Sequence, residues 1–320
     1  MFFSLKAVFC ALLVLFMNVA FAFPTKPIKI VVTIGPGSSA DILARIVSDE
    51  WSKKLNQPVI VENKPGAGGN VAADFVAKSV ADGHTLLLAT ISTHAINAAM
   101  YPSMSFDPIK DFAPIVLMGA NPNVLVVHPS NPAQSLRELL DQAAKKPGDL
   151  SYSSGGSGTS QHLSGEVMSS LGQIKLLHVP YKSTPESVSA VLSGQVTMAF
   201  ASVPVAIAQV KAGKLRALGV TSEKSLAWWT EVPSLASQGL PGFNVSAWFG
   251  MAAPAGAPDL VIQKINSDIL SILALPAVRE KLQAQGMDVL SSTPGQFGQF
   301  IESESARWLK IVKASGAKIN

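Results

Sequence analysis

The chain is 320 residues long, 48% hydrophobic and only 14% charged, with 24 glycines and 21 prolines; this composition supplies a packed core and excludes intrinsic disorder. Its formal net charge of +4 arises from 25 basic and 21 acidic residues scattered among one another, so no cationic stripe marks a nucleic-acid surface. At this length roughly two domains of ordinary size are expected.

Residues 1–22 read as a secretory signal. Met1 to Lys6 is a short positive segment, Ala7 to Met17 an apolar one, and Ala20-Phe21-Ala22 an A-x-A site that places cleavage after Ala22. The apolar run is shorter than the roughly 20 residues that a membrane-spanning helix needs, so the mature chain is expected to be exported and soluble. Cys10 is the single cysteine and lies inside this segment, which leaves no disulfide expected in a chain large enough to need none.

Beyond the signal, β-branched runs alternate with stretches of helical period, which predicts an α/β fold of strands with crossover helices. Ile28 to Ile34 is a buried-strand run, Gly35-Pro36-Gly37 breaks it, and Ile42, Leu43, Ile46, Val47, Trp51 and Leu55 share one helical face. Further strands are expected at Val59 to Val61, Thr85 to Ala89, Ile115 to Met118, Val124 to Val127, Leu176 to Val179, Val196 to Phe200 and Leu215 to Val220. Helices are expected over Ser135 to Lys146 and Pro185 to Leu192. From Pro258 three helices follow, each opened by a proline: Pro258 to Leu273, Pro276 to Gln285 and Pro294 to Val312.

Two strand-to-helix turns carry the chemistry. In Gly35-Pro36-Gly37-Ser38-Ser39-Ala40-Asp41 unpaired backbone N–H groups and a positive helix end converge, an arrangement that holds a carboxylate or phosphate without a charged side chain. Ser38 and Asp41 equally satisfy a capping box, so their side chains have a purely structural reading as well. The same residues match G-x-G-x-x-A, with Glu62 ending the second strand as a ribose-binding acid would, which keeps a nicotinamide-dependent oxidoreductase as a rival. Export away from cofactor pools and a carboxylate at Asp41 count against it.

The second turn, Tyr152-Ser153-Ser154-Gly155-Gly156-Ser157-Gly158-Thr159-Ser160-Gln161-His162, is a second anion-holding helix start. A hydrolase nucleophile motif fails there, because Thr159 stands where G-x-S-x-G needs its last glycine. His162 reads either as a base for some serine or as a structural hydrogen-bonding residue. His84, His94, His128 and His178 are dispersed and paired cysteines are absent from the sequence, so no dedicated metal site is expected. Pro65 to Asn70 reads as an anion cradle or as a plain turn into a helix around Val71 to Lys78, and Trp228-Trp229 as an aromatic contact or a brace.

The blocks Ile34 to Arg45 and Val61 to Asn70, followed by His178 to Lys182, Gly194-Gln195-Val196, Ala212 to Leu218, Val232-Pro233-Ser234 and Trp248 to Pro258, resemble in order the tripartite tricarboxylate transporter receptor family, also called the Bug family. The resemblance implies an extracytoplasmic solute-binding protein with a two-lobed, type II-like flytrap fold and two crossing hinge strands. Lobe 1 would combine residues 23–123 and 248–320, and lobe 2 would hold 124–247. The two turns would face each other and clasp a small carboxylate, partly through water. This carries ligand contact to Gly37, Ser38, Ser39, Ala40 and Asp41, to Ser154, Gly158, Thr159 and Ser160, and further to Ser92, Thr93 and Ser202.

Asp41 is expected to cap its helix, pair with Arg45, or meet a ligand ammonium or hydroxyl. The family also implies a periplasmic monomer that performs no chemistry, needs no cofactor and binds no nucleic acid, with membrane permease subunits or a sensor protein as partner. An exported enzyme using the same cleft is the remaining rival class. The sequence departs from the family pattern at Ser38 and Ser183, where glycines are usual, and at Ala201-Ser202, where an Asp-Asn type pair is common; if Ala201 lines the cleft, a polar contact is lost.

Overall fold

The structure is a computed structural model that describes residues 23–226 and 228–315; the expected signal, with Cys10 and the Ala22 cleavage site, lies outside them. Its first run, Ile-Lys-Ile-Val-Val, forms β1 (Ile28–Val32) with Ile28, Ile30, Val31 and Val32 fully buried, as β-branched side chains on a pleat covered from both faces should be. Helix α1 (Ser39–Leu55) packs Leu43, Val47 and Trp51 against it. Strands β2 (Val59–Asn63) and β3 (Thr85–Thr90) flank β1 in parallel, with helix α2 (Asn70–Ala77) between them in sequence. A wide helical turn, Ser92–Ile96, then runs into α3 (Asn97–Met100).

The next strand, β4 (Phe112–Val127), is 16 residues long and organises the molecule. After it come α4 (Leu136–Lys145), β5 (Ser151–Ser154), α5 (Ser160–Gly172), β6 (Leu177–Pro180), α6 (Thr184–Leu192), β7 (Met198–Ser202), α7 (Val203–Lys211) and β8 (Arg216–Val220). The chain returns through β9 (Ser246–Pro254), α8 (Asp259–Leu273), α9 (Pro276–Ala284), β10 (Asp288–Val289) and α10 (Pro294–Ser315). The sheet order is β2-β1-β3-β9-β4-β7-β5-β6, with β8 and β10 also paired to β4. Residues Phe112 to Pro122 of β4 pair with β9, whereas Asn123 to Val127 pair with β7 and Val124 to Val127 also with β8, all antiparallel. The partner change falls at Pro122-Asn123, where proline's missing donor does least harm to the ladder.

Two differences from the expected pattern have physical causes. Ile115 to Met118 and Val124 to Val127 are one strand: Gly119, Asn121, Pro122 and Asn123 look like turn residues but sit where β4 exchanges partners. The sheet is also mixed rather than uniformly parallel, because β9 inserts antiparallel between β3 and β4. The C-terminal helices close the core, α8 beside α1 and α10 through Phe297, Ile301, Trp308 and Val312. Among the described residues no single helix is long and apolar enough to cross a membrane; α8 and α9 pass that test only together, bent by 76°, and Ile265, Ile269, Ile272 and Leu282 on them are core residues.

Candidate functional site

The first turn is built around Asp41. Ser38 caps α1, its Oγ accepting from the Asp41 N–H at 3.2 Å, while the Asp41 carboxylate accepts from the Gly37 N–H at 2.9 Å. A capping box would have that carboxylate accept from the N–H of the cap residue Ser38; here it reaches one residue further back, to Gly37, while the Ser38 N–H donates to Gly35 O. The same carboxylate, 3% exposed as a residue, accepts from Arg45 Nε at 3.1 and 3.0 Å and from Asn63 Nδ2 at 2.9 Å. Burial would raise its pKa, but the hydrogen bonds from Arg45, Gly37 and Asn63 together hold it below the ordinary aspartate value. Of its expected roles Asp41 takes that of partner to Arg45, while the cap itself is Ser38. It braces the turn while the N–H groups of Ser39 and Ala40, lacking carbonyls within their own helix, stay available.

The second turn rests on aromatic rings. Thr159 caps α5 by accepting from the His162 N–H at 3.3 Å and donates to Gly156 O at 2.7 Å. Below it, Tyr152, His178 and His162 form a stack, with centroids 4.8 Å apart between Tyr152 and His178 and 4.0 Å between the two histidines. His178 Nε2 lies 2.7 Å from Ser154 Oγ, and the Gly158 N–H donates to His162 Nδ1 at 3.2 Å. Histidines distant in sequence are thus neighbours because β5 and β6 are paired in register, Tyr152 beside His178.

Strand β4 ties the two turns together. Asn121 Nδ2 donates to Ser39 Oγ at 3.2 Å, and two residues on, along the same face of the strand, Asn123 Nδ2 donates to Ser160 Oγ at 3.1 Å. From the wide helical turn that follows β3, Ser92 Oγ donates to Gly158 O in the second turn at 3.3 Å. Ser202 lies opposite Asn123 on β7, half-buried at the start of α7. Asn121 and Asn123 were not singled out from the sequence; two asparagines at a spacing of two within an apolar run were the available signal.

The remaining expected contacts separate by burial. Gly37, Ser38, Ser39 and Thr159 are exposed or half-buried. Thr93 and Ser154 are fully buried, Thr93 donating to Thr90 O at 3.1 Å at the end of β3 and Ser154 to Gly156 O at 3.1 Å within the second turn. Ala40 and Gly158 are buried, and both main-chain groups of Gly158 are engaged, its N–H by His162 and its carbonyl by Ser92. Ala201 faces the apolar cluster of Val124, Val126 and Val203 rather than the face of Asn123, so the loss of a polar cleft contact contemplated for it does not arise. Glu62 is engaged by Lys29 and Lys64, each at 2.6 Å. Two surface cavities, about 470 and 640 Å³, lie elsewhere, at Arg216 with Trp229 and around Tyr101 to Asp111. No group of three metal-ligating side chains occurs among the described residues.

The ring stack makes stability acid-sensitive. Burial pushes His162 down to about 4, and burial followed by its charged-when-protonated neighbour His162 pushes His178 down to about 3. Unfolded histidine takes its proton near 6.5, so between these values the unfolded chain binds more protons and stability falls as pH falls. Urea midpoints at pH 7 and pH 5 check this; the loss at pH 5 is expected to reach up to about 2 kcal/mol per ring, and replacing either ring by Phe should flatten the profile.

The receptor model of the tripartite tricarboxylate transporter family matches residues 43–317. A UPF0065 protein encoded in the tcbD-tcbE intergenic region of Pseudomonas sp. strain P51 is 37% identical over 292 residues, 91% of this chain and 87% of that protein. Among solved structures, Rpa4515 of R. palustris with adipate superposes with a TM-score of 0.86 at 31% identity, covering 93% of this chain and all (100%) of that one. MatC (Rpa3494) from Rhodopseudomonas palustris with bound malate gives 0.82 at 30% identity, covering 91% and 100%.

Proposed function

This chain belongs to the tripartite tricarboxylate transporter receptor family, whose members are solute-binding receptors and not enzymes, and from that premise we propose that it captures a small carboxylate between two lobes and delivers it to membrane permease subunits. The lobes are residues 23–123 with 248–320, and 124–247, hinged where β4 and β9 cross. The chain is exported to the periplasm by cleavage after Ala22 and acts there as a monomer. The ligand is a di- or tricarboxylate, or an aromatic or amino-acid-like acid.

The observation that carries this reading is the meeting of two helix N-termini, joined through Ser92 to Gly158 and through Asn121 and Asn123. Each helix end concentrates partial positive charge on N–H groups that lack partners within the helix. Such a pair holds a carboxylate without a cationic side chain, and the one guanidinium nearby, Arg45, already neutralises Asp41. Adipate and malate in the two solved neighbours are both small dicarboxylates, in keeping with this chemistry. A dinucleotide fits poorly, since the Asp41 carboxylate occupies the first turn of α1, where a pyrophosphate would sit, and Glu62 is held by two lysines.

A thermal-shift screen of mono-, di- and tricarboxylates, aromatic acids and amino acids, followed by calorimetry, tests the reading, because a ligand bound only by the folded state raises its melting temperature. A one-to-one carboxylate hit supports it; stabilisation by a nucleotide or neutral sugar with none by carboxylates overturns it. Ser39→Ala is expected to weaken that carboxylate by about 1–3 kcal/mol in the same calorimeter, the worth of one hydrogen bond to a charged group, and Thr159→Ala by about 1 kcal/mol through loss of the α5 cap, since its hydroxyl hydrogen is held by Gly156 O. Unchanged affinity in both would remove these turns from the site.

A further inference from the structure

We propose that His162 is a positioning residue of the binding site: its Nδ1 lone pair holds the Gly158 N–H, and through it fixes the peptide planes that the second turn presents to the ligand. The inference rests on the receptor reading above. Gly158 is gripped from both sides, its N–H by His162 at 3.2 Å and its carbonyl by Ser92 at 3.3 Å; its φ of +79° is one of many conformations open to a glycine, so these two bonds hold it in one of them.

Because an amide donates to it, Nδ1 carries no hydrogen, and the ring proton resides on Nε2. That edge faces Glu166, with Oε1 at 3.7 Å, and Glu166 is itself fixed by the Tyr152 hydroxyl at 2.7 Å. The ring cannot rotate away, since His178 stacks on it at 4.0 Å and Tyr152 stacks on His178 in turn. The groups facing His162 are thus His178, Glu166 and Tyr152, and burial keeps both imidazoles neutral at neutral pH, as acceptance from an amide requires. Neither role considered from sequence describes this arrangement fully. His162 makes a structural hydrogen bond, but one aimed at the backbone that meets the ligand.

The test compares His162→Leu with His162→Asn in the full mature chain. Asn places an amide oxygen close to where Nδ1 sits, whereas Leu offers similar bulk with no acceptor. Adipate and malate are the probes in calorimetry, with hydrogen exchange at the Gly158 amide as a second readout that needs no ligand. His162→Leu is expected to weaken whichever probe the wild type binds by about tenfold and to speed Gly158 exchange, while His162→Asn stays within about threefold of wild type in both readouts. Equal losses in the two variants would mean that the ring only fills space, and wild-type affinity in His162→Leu would show that the turn needs no such support; either result overturns the proposal. A wild-type protein that binds no carboxylate would instead overturn the receptor reading and, with it, this inference.

Discussion

Asp41→Ala is expected to weaken carboxylate binding by at least tenfold and to lower stability by about 2 kcal/mol, the loss of the charge-assisted hydrogen bonds that its carboxylate accepts from Gly37, Arg45 and Asn63. The carboxylate is the single group that restrains the Gly37 N–H, the Arg45 guanidinium and the Asn63 amide together. Without it the turn before α1 loses its brace, and Arg45 loses the anion that holds it beside the helix start. Removing a negative charge near an anionic ligand would by itself favour binding, and this opposes the loss. That electrostatic gain is small because Arg45 already neutralises the buried carboxylate, so disorder of the turn dominates. Calorimetry with chemical denaturation reads both quantities. Tighter binding in Asp41→Ala would show that the carboxylate repels the ligand more than it orders the site.

Gly165→Ala and Gly298→Ala are the same substitution inside two helices and are expected to act with opposite signs. A Cβ at Gly165 would lie 2.2 Å from the Tyr152 ring, whereas at Gly298 the nearest atom, Pro114 Cγ, is 3.6 Å away. Alanine favours a helix interior by about 1 kcal/mol over glycine. At Gly298 that gain stands alone, and a rise of up to about 1 kcal/mol follows. At Gly165 the buried Tyr152 must move, which costs about 1–3 kcal/mol or more and exceeds the gain. Displacing Tyr152 also disturbs the ring stack under the second turn, so binding should fall with stability. Melting curves of both variants decide the sign, and a stabilised Gly165→Ala would mean that the close packing of Tyr152 on α5 is wrong.

How far the sequence foretells this molecule depends on where each element buries its side chains. Strand β1 and helix α1 are legible because their apolar residues keep the period of the element and face one core. Strand β5 is not, since Ser-Tyr-Ser-Ser carries no apolar alternation. It is nonetheless buried, because its hydroxyls are satisfied internally, Ser153 Oγ donating to Ser187 O at 3.0 Å and Ser187 Oγ to Ser153 Oγ at 2.8 Å. The helical stretch from Ser92 to Met100 also escapes notice, as Ser-Thr-His-Ala-Ile-Asn lacks a single apolar face; His94 and Asn97 are fully buried within it.

The same logic applies to the candidate site. Turn residues such as Gly37 and Thr159 follow from local chemistry, for glycine breaks and hydroxyl caps act over three or four positions. What joins the turns is long-range: Ser39 meets Asn121, Asn123 meets Ser160, and Ser92 meets Gly158, 66 residues away. The stacked histidines likewise depend on the β5–β6 register. Spacing in one chain does not report such contacts, whereas order along a familiar pattern of blocks does so indirectly.

The central claim is that both helix ends grip one carboxylate ligand at once, and amide NMR during titration with adipate or malate tests it most directly. The account predicts that resonances of Ser39 and Ala40 and those of Gly158, Thr159 and Ser160 shift together, with a single dissociation constant and saturation at one equivalent. Shifts confined to one turn, or to residues lining the cavities at Arg216 or Tyr101, would contradict it.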